Sequence, residues 1–188
     1  MTTHGTSHGS PDAPSPWVER FAPLIVAGGS VLDVACGQGR HSRLLAARGH
    51  PVTGVDRDTV ALAALADTPG VTTIVADLEA GPWPFTDAHF DAVVVTRYLH
   101  RPLFPALLAS LAPDAVLIYE TFALGNGAFG KPSNPDFLLA PDELLTLIGT
   151  RFTVVAFEQG VTTGAAPQVV QRVAAVGRAR AWPPALPV

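Results

Sequence analysis

From residue 31 onward the chain alternates between two patterns, and this alternation restricts the fold more than any other feature. Residues 31–35, 52–55, 71–76, 90–96 and 115–122 are short apolar runs of strand length. Residues 40–48, 59–66 and 103–111 carry helical spacing between them, and Gly49 closes the first of these helices. The run FDAVVVT at 90–96 is almost wholly apolar, as a central strand covered on both faces requires. Strands alternating with helices build a doubly wound, mostly parallel sheet with right-handed crossovers. A helix at 141–149 and two more strands at 152–157 and 169–176 complete the pattern. The segment between those two strands is too short for a crossover helix, so they should pair antiparallel as a C-terminal hairpin. The expectation is an α/β fold with seven strands.

A chain of 188 residues has the size of one domain, placed at residues 15–178. Residues 1–14 hold almost nothing to bury and read as a disordered tail, in which His4 and His8 lack the fixed geometry of a metal site. Residues 179–188 read as an extended tail. Trp17, Val18, Phe21, Leu24 and Ile25 mark an amphipathic helix over 16–27, ended by Gly28 and Gly29. The net charge is -4, no basic run occurs and Lys131 is the single lysine, which argues against a nucleic-acid partner. The lone Cys36 excludes an internal disulfide framework and a multi-cysteine metal site, so no metal is expected and a reducing, cytoplasmic setting fits. The N-terminus lacks the apolar core of a signal peptide. The apolar stretch at 103–119 is broken by Pro105, Pro113 and Asp114, so no membrane partner is expected.

In a doubly wound sheet, ligands bind beyond the carboxyl ends of the strands. Ala35-Cys36-Gly37-Gln38-Gly39 occupies the first of those ends. Gly37 and Gly39 allow a sharp turn and a close approach of backbone to ligand. Asp56 ends the second strand, where a carboxylate can accept both hydroxyl hydrogens of a ribose. The residues therefore point to a nucleoside-containing ligand. A dinucleotide fingerprint would place a third glycine or alanine at position 42, where this chain has Ser42. It also gives no reason for the acid Asp33 inside the first strand.

The phrase VLDVACGQGRHSRLLAARGHPVTGVDRD, together with VADLEAGPWPF and FDAVVVTRYLHR, resembles the class I S-adenosylmethionine-dependent methyltransferases over roughly residues 28–178. The resemblance implies a Rossmann-like sheet whose last strand is antiparallel, with S-adenosyl-L-methionine as cofactor. It further implies that Gly37 and Gly39 lie against the methionine portion and ribose, and that Asp33 orders the loop or reaches the amino group. Asp56, followed by Arg57, would hold the ribose hydroxyls. Asp77 with Leu78 would meet the adenine edge, and Thr96 with Arg97 would line the methionine end. This sequence has Ala35 where the family motif begins with glycine, which reads as a mild change. Pro113-Asp114-Ala115 stands where the family often has Pro-Gly-Gly. The segment GNGAFGKPSNPDFLLAPDELL resembles the acceptor side of a group of small bacterial methyltransferases that includes tellurite-resistance-like proteins.

Methyl transfer from a sulfonium depends mainly on bringing a nucleophile into line and keeping water out, so no catalytic triad is required. Candidates around the acceptor are Tyr98 and His100 after the fourth strand and Glu120 on the fifth, with Tyr119 and Glu120 competing to face the crevice. His41 is either structural or an accessory to substrate. Phe129, Phe137, Leu138 and Leu139 make the 125–139 loop too apolar to be an idle insertion. The leading expectation is an enzyme methylating a small molecule. A nicotinamide-dependent oxidoreductase and a cofactor-binding protein without turnover are the alternatives.

Overall fold

The computed structural model describes residues 13–164 and 166–187, so residues 1–12 of the tail expected at 1–14, with His4 and His8, lie outside the described residues. Helix α1, Pro16–Phe21, is capped by Ser15, whose Oγ accepts the Trp17 amide. The expected run to residue 27 stops early because Pro23 has no amide hydrogen to continue an α-helix. The backbone tightens instead into a 3-10 turn over Ala22–Leu24. Strand β1, Val31–Val34, leads through a glycine turn into α2, Arg40–Ala47. Strand β2, Val52–Asp56, is followed by α3, Thr59–Ala63, and β3, Val71–Val75, by a long turn. Strand β4 is Phe90–Thr96, α4 is Phe104–Ala109 and β5 is Leu111–Phe122. Helix α5, Glu143–Ile148, precedes the hairpin of β6, Phe152–Val161, and β7, Val169–Gly177.

The seven strands lie in the order β3-β2-β1-β4-β5-β7-β6. The first five are parallel, and β7 runs antiparallel to both β5 and β6, as the short connection required. Strand β6 extends to Val161, well past the apolar end at residue 157. It is an edge strand, so its outer residues tolerate solvent. Opposite charges at Glu158 and Arg172 face each other across the ladder and favour the extra pairing. Alternation along β4 sorts the core into two layers: Val93 and Val95 pack with α4 and α5, and Ala92 and Val94 with α1 and α2. A third, small cluster joins Leu62 and Leu65 to Cys36 under the glycine turn. The order of the strands reverses between β1 and β4, which opens the crevice at their carboxyl ends.

Candidate active site

Strand β1 delivers the chain into that crevice. Ala35, Gly37 and Gly39 adopt φ of 52, 54 and 75°, so three left-handed residues in five fold the turn back on itself. Cys36 donates its amide to Val55 O at 3.1 Å, and Gly39 donates to Cys36 O at 2.9 Å. The two glycines answer different needs. A Cβ on Gly37 would meet nothing within 4 Å, so that face is open toward the crevice. A Cβ on Gly39 would fall 2.3 Å from the Leu65 methyls, so Gly39 permits close packing inside the protein. Ala35 is less innocuous than its sequence suggested, because an alanine with φ 52 carries strain that glycine would not.

Three carboxylates brace this edge. Asp33 is buried on β1 beneath the turn, and Ser42 Oγ donates to its Oδ2 at 2.6 Å. Desolvation pushes the Asp33 carboxyl up to about 6, although the hydrogen bonds from Ser42 and the charge of Arg40 oppose the rise. Asp56 Oδ2 accepts the Gly37 amide at 2.8 Å and Oδ1 accepts the Asp58 amide at 2.9 Å, which fastens the glycine turn to the end of β2. Asp77 Oδ1 accepts the amides of Glu79 at 2.9 Å and Ala80 at 3.1 Å. Those two bonds hold its carboxyl below the usual range.

Three adjoining cavities follow the carboxyl edge. One, of about 170 Å³, is lined by Ala35, Asp56, Arg57, Ala76, Asp77, Leu78, Glu79 and Tyr98. A second, of about 280 Å³, is lined by the glycine turn, Arg40, His41, Arg43, Thr96 and Arg97. The third, of about 250 Å³, lies between Glu79, Arg97, Tyr98, Leu99, Thr121, Phe122, Pro132 and Phe137. Every cofactor residue expected from the sequence except Asp33 lines the first or second cavity, and Asp33 sits directly beneath. Phe137 and Pro132 bring the 125–139 loop to the third.

The catalytic candidates are not brought together. Arg97, at φ 55, ends β4 by donating its amide to Glu120 O at 2.9 Å, and Tyr98 then turns toward the first and third cavities. Tyr119 points the other way: it stacks on Phe104 with centroids 5.3 Å apart and donates its hydroxyl to Tyr98 O at 2.8 Å. Burial raises its pKa, so Tyr119 is a protonated structural anchor. His100 begins the 3-10 turn Arg101–Leu103 and lines none of the three cavities.

Glu120 faces a larger cavity of about 690 Å³ between the N-terminal segment and the β6–β7 hairpin, which shares Arg40 and Arg97 with the second cavity. There Glu120 Oε1 accepts from Ser15 Oγ at 2.8 Å and Oε2 from Arg172 at 3.2 Å, so both of its oxygens are engaged. His41 is a structural part of the same network. Its Nε2 accepts the Ser15 amide at 3.0 Å, which leaves Nδ1 to donate to Thr96 Oγ1 at 3.3 Å. Burial and the charges of Arg40 and Arg97 lower His41 to about 3, so it is neutral. Sequence reasoning missed Ser15 and Arg172 in this network. The Ser-Pro pair before an apolar helix was the available signal for the first, but no local pattern announced the second.

The loop beyond β5 is tied down at both ends. Buried Asn126 donates to Pro132 O and accepts the Val169 amide, each at 3.0 Å. Arg101 donates to the carbonyls of Asp136 at 2.7 Å and Leu138 at 2.8 Å while pairing with Glu143. Leu138 and Leu139 are buried, whereas Phe129, Lys131 and Phe137 are exposed.

Residues 31–113 match the family model described as a methyltransferase domain. That stretch, less than half of the chain, is similar to a methyltransferase domain. No curated protein matches the sequence. Solved structures share the fold at low identity. TehB from Haemophilus influenzae is 18% identical with a TM-score of 0.72, over 91% of this chain and 64% of that one. The present chain thus spans less than two thirds of that relative's length. A TehB-like S-adenosylmethionine-dependent methyltransferase from Corynebacterium glutamicum is 18% identical with a TM-score of 0.64, over 86% and 87% of the two chains. An S-adenosylmethionine-dependent methyltransferase from Methanosarcina mazei gives 18% and 0.67, over 88% and 98%. Among the described residues, no helix is long and apolar enough to cross a membrane, and no cluster of His, Cys, Asp and Glu could hold a metal ion.

Proposed function

We propose that this chain transfers the methyl group of S-adenosylmethionine to a small-molecule acceptor seated between Tyr98 and Phe137. One observation carries the reading: the 250 Å³ cavity shares Glu79 and Tyr98 with the cavity of the ribose acid and Arg97 with the cavity of the glycine turn. A sulfonium lies between the adenosine and methionine parts of its molecule. The acceptor cavity should therefore be the one that touches both, and this one does.

The residues fit the cofactor. Gly37 presents an open face, Asp56 offers carboxylate oxygens at the end of β2, and Arg43 and Arg97 bring positive charge to where a methionine carboxylate would lie. In this reading Asp56 with Arg57 holds the ribose, Asp77 and Leu78 face the adenine edge, and Asp33 fixes the turn through Ser42. Thr96 and Arg97 border the methionine end. Bound S-adenosylmethionine supplies an electrophilic methyl group. The chain supplies alignment and a cover, the cover being the 125–139 loop with Phe137 on its underside. Glu120, with both oxygens engaged, acts through position and not as a base.

Adenosylhomocysteine should raise the melting temperature and NADH should not; the reverse would favour an oxidoreductase. A labelled-methyl screen across thiols, phenols, amines, carboxylates and oxyanions would then find the acceptor. Replacing residues 127–133 with a Gly/Ser linker, which spares the brace at Asn126, should leave adenosylhomocysteine affinity within a few-fold. Methyl transfer should fall much further. Equal losses in both would remove the loop from the acceptor side.

A further inference from the structure

Among the described residues, one buried side-chain polar atom has no hydrogen-bond partner: the hydroxyl of Tyr98. A buried donor left unpaired is costly, and such an orphan at the wall of a binding cavity asks for a partner that arrives with the ligand. The residue is held firmly in that posture. Arg97 bends the chain with φ 55, its amide is fixed by Glu120 O, and the Tyr98 carbonyl is fixed by the Tyr119 hydroxyl. The Tyr98 ring packs against the main core and lines the cavity that contains Asp56, Asp77 and Leu78.

The charged groups that act on the phenol cluster on one side of the residue. They come from Glu79, Asp77, Arg57 and Asp56, all of which line that same cavity. Burial and the neighbouring carboxylates push Tyr98 up to about 12, so at neutral pH it is a donor. A general base would need the opposite displacement, toward the working pH.

We infer that Tyr98 is a cofactor-binding residue, its hydroxyl donating a hydrogen bond to the adenosine part of S-adenosylmethionine, and not the base of methyl transfer. The inference rests on the functional reading above. It assigns the hydroxyl to the adenosine because the cavity it shares is the one holding the ribose acid.

The chain has two tyrosines, so tyrosine labelled with carbon-13 at Cζ gives two resonances, and Tyr98→Phe assigns them. Adenosylhomocysteine should shift the Tyr98 resonance well beyond that of Tyr119, whose hydroxyl is already bonded within the fold. Neither resonance should titrate between pH 6 and 9. By calorimetry, Tyr98→Phe should weaken adenosylhomocysteine binding about three- to tenfold, the usual worth of a neutral hydrogen bond. Its melting temperature without ligand should stay level or rise, since only an unpaired donor is removed. Unchanged affinity in Tyr98→Phe would overturn the inference. So would a lower melting temperature at unchanged affinity, which would make the hydroxyl structural, or a Tyr98 resonance titrating near neutrality, which would restore the base. If the wild-type chain does not bind adenosylhomocysteine at all, the functional reading itself fails, and this inference with it.

Discussion

Asp33→Asn should make this protein more stable at neutral pH while weakening its hold on the cofactor. Asp33 is 1% exposed, and its carboxyl is raised from 3.8 to about 6 by desolvation. A raised acid favours the protonated form in the fold. Stability from this group is therefore fully present below about pH 4 and is lost as pH rises through about 6. At pH 8 the buried charge costs about 3 kcal/mol, taking 1.36 kcal/mol for each tenfold displacement in proton affinity. Asparagine keeps an oxygen to accept the Ser42 hydroxyl but carries no charge. It adds amide hydrogens of its own, whose effect is independent of pH. The informative quantity is thus the difference between variant and wild type at pH 8 minus the same difference at pH 4. Urea denaturation at the two pH values should give roughly 2–3 kcal/mol for it, since pH 4 already lies at the foot of the transition, equivalent to roughly 4–12 °C in melting temperature for a chain of this size. Other titrating groups are common to both proteins and cancel. A double difference near zero would refute the claim that the fold carries a buried charge here. Calorimetry on the same variant should show weaker adenosylhomocysteine binding, since in the proposed reading Asp33 fixes the turn that meets the cofactor.

Three changes in the glycine turn separate packing from binding. Gly39→Ala, with its Cβ forced against Leu65 and φ 75, should lower stability by roughly 2–5 kcal/mol in urea denaturation. Gly37→Val should keep a folded circular-dichroism spectrum yet abolish adenosylhomocysteine binding, because its side chain enters open crevice space. Ala35→Gly should relieve the strain at φ 52 and leave stability level or slightly raised, by up to about 1 kcal/mol, after the entropy cost of glycine. His41 is held neutral, lowered from 6.5 to about 3, so its stabilisation is complete above pH 6.5 and is lost as pH falls toward 3. His41→Gln, which cannot be protonated, should flatten the acid limb of the stability curve between those values; an unchanged limb would show that His41 is not a buried acid-sensitive contact.

What the sequence determined by itself was periodicity and its consequences. Alternating apolar runs and helical stretches fixed the doubly wound sheet, and a connection too short for a crossover forced β7 antiparallel. Gly37, Asp56 and Asp77 could be placed at strand ends because turn residues and acids next to apolar runs are local signals. Tertiary structure decided matters that depend on contacts distant in sequence. Gly39 answers to Leu65, and Tyr119 anchors the turn that Tyr98 occupies. Glu120 is claimed by Ser15 and by Arg172, residues 105 and 52 positions away along the chain. Alternation on β5 showed that Tyr119 and Glu120 face opposite sides, but only the packing of Phe104 on α4 against Tyr119 decided which side was core. The charge on Asp33 is visible in the sequence. Its energetic cost is not, because desolvation is a property of the layers that close over a residue and not of its neighbours along the chain.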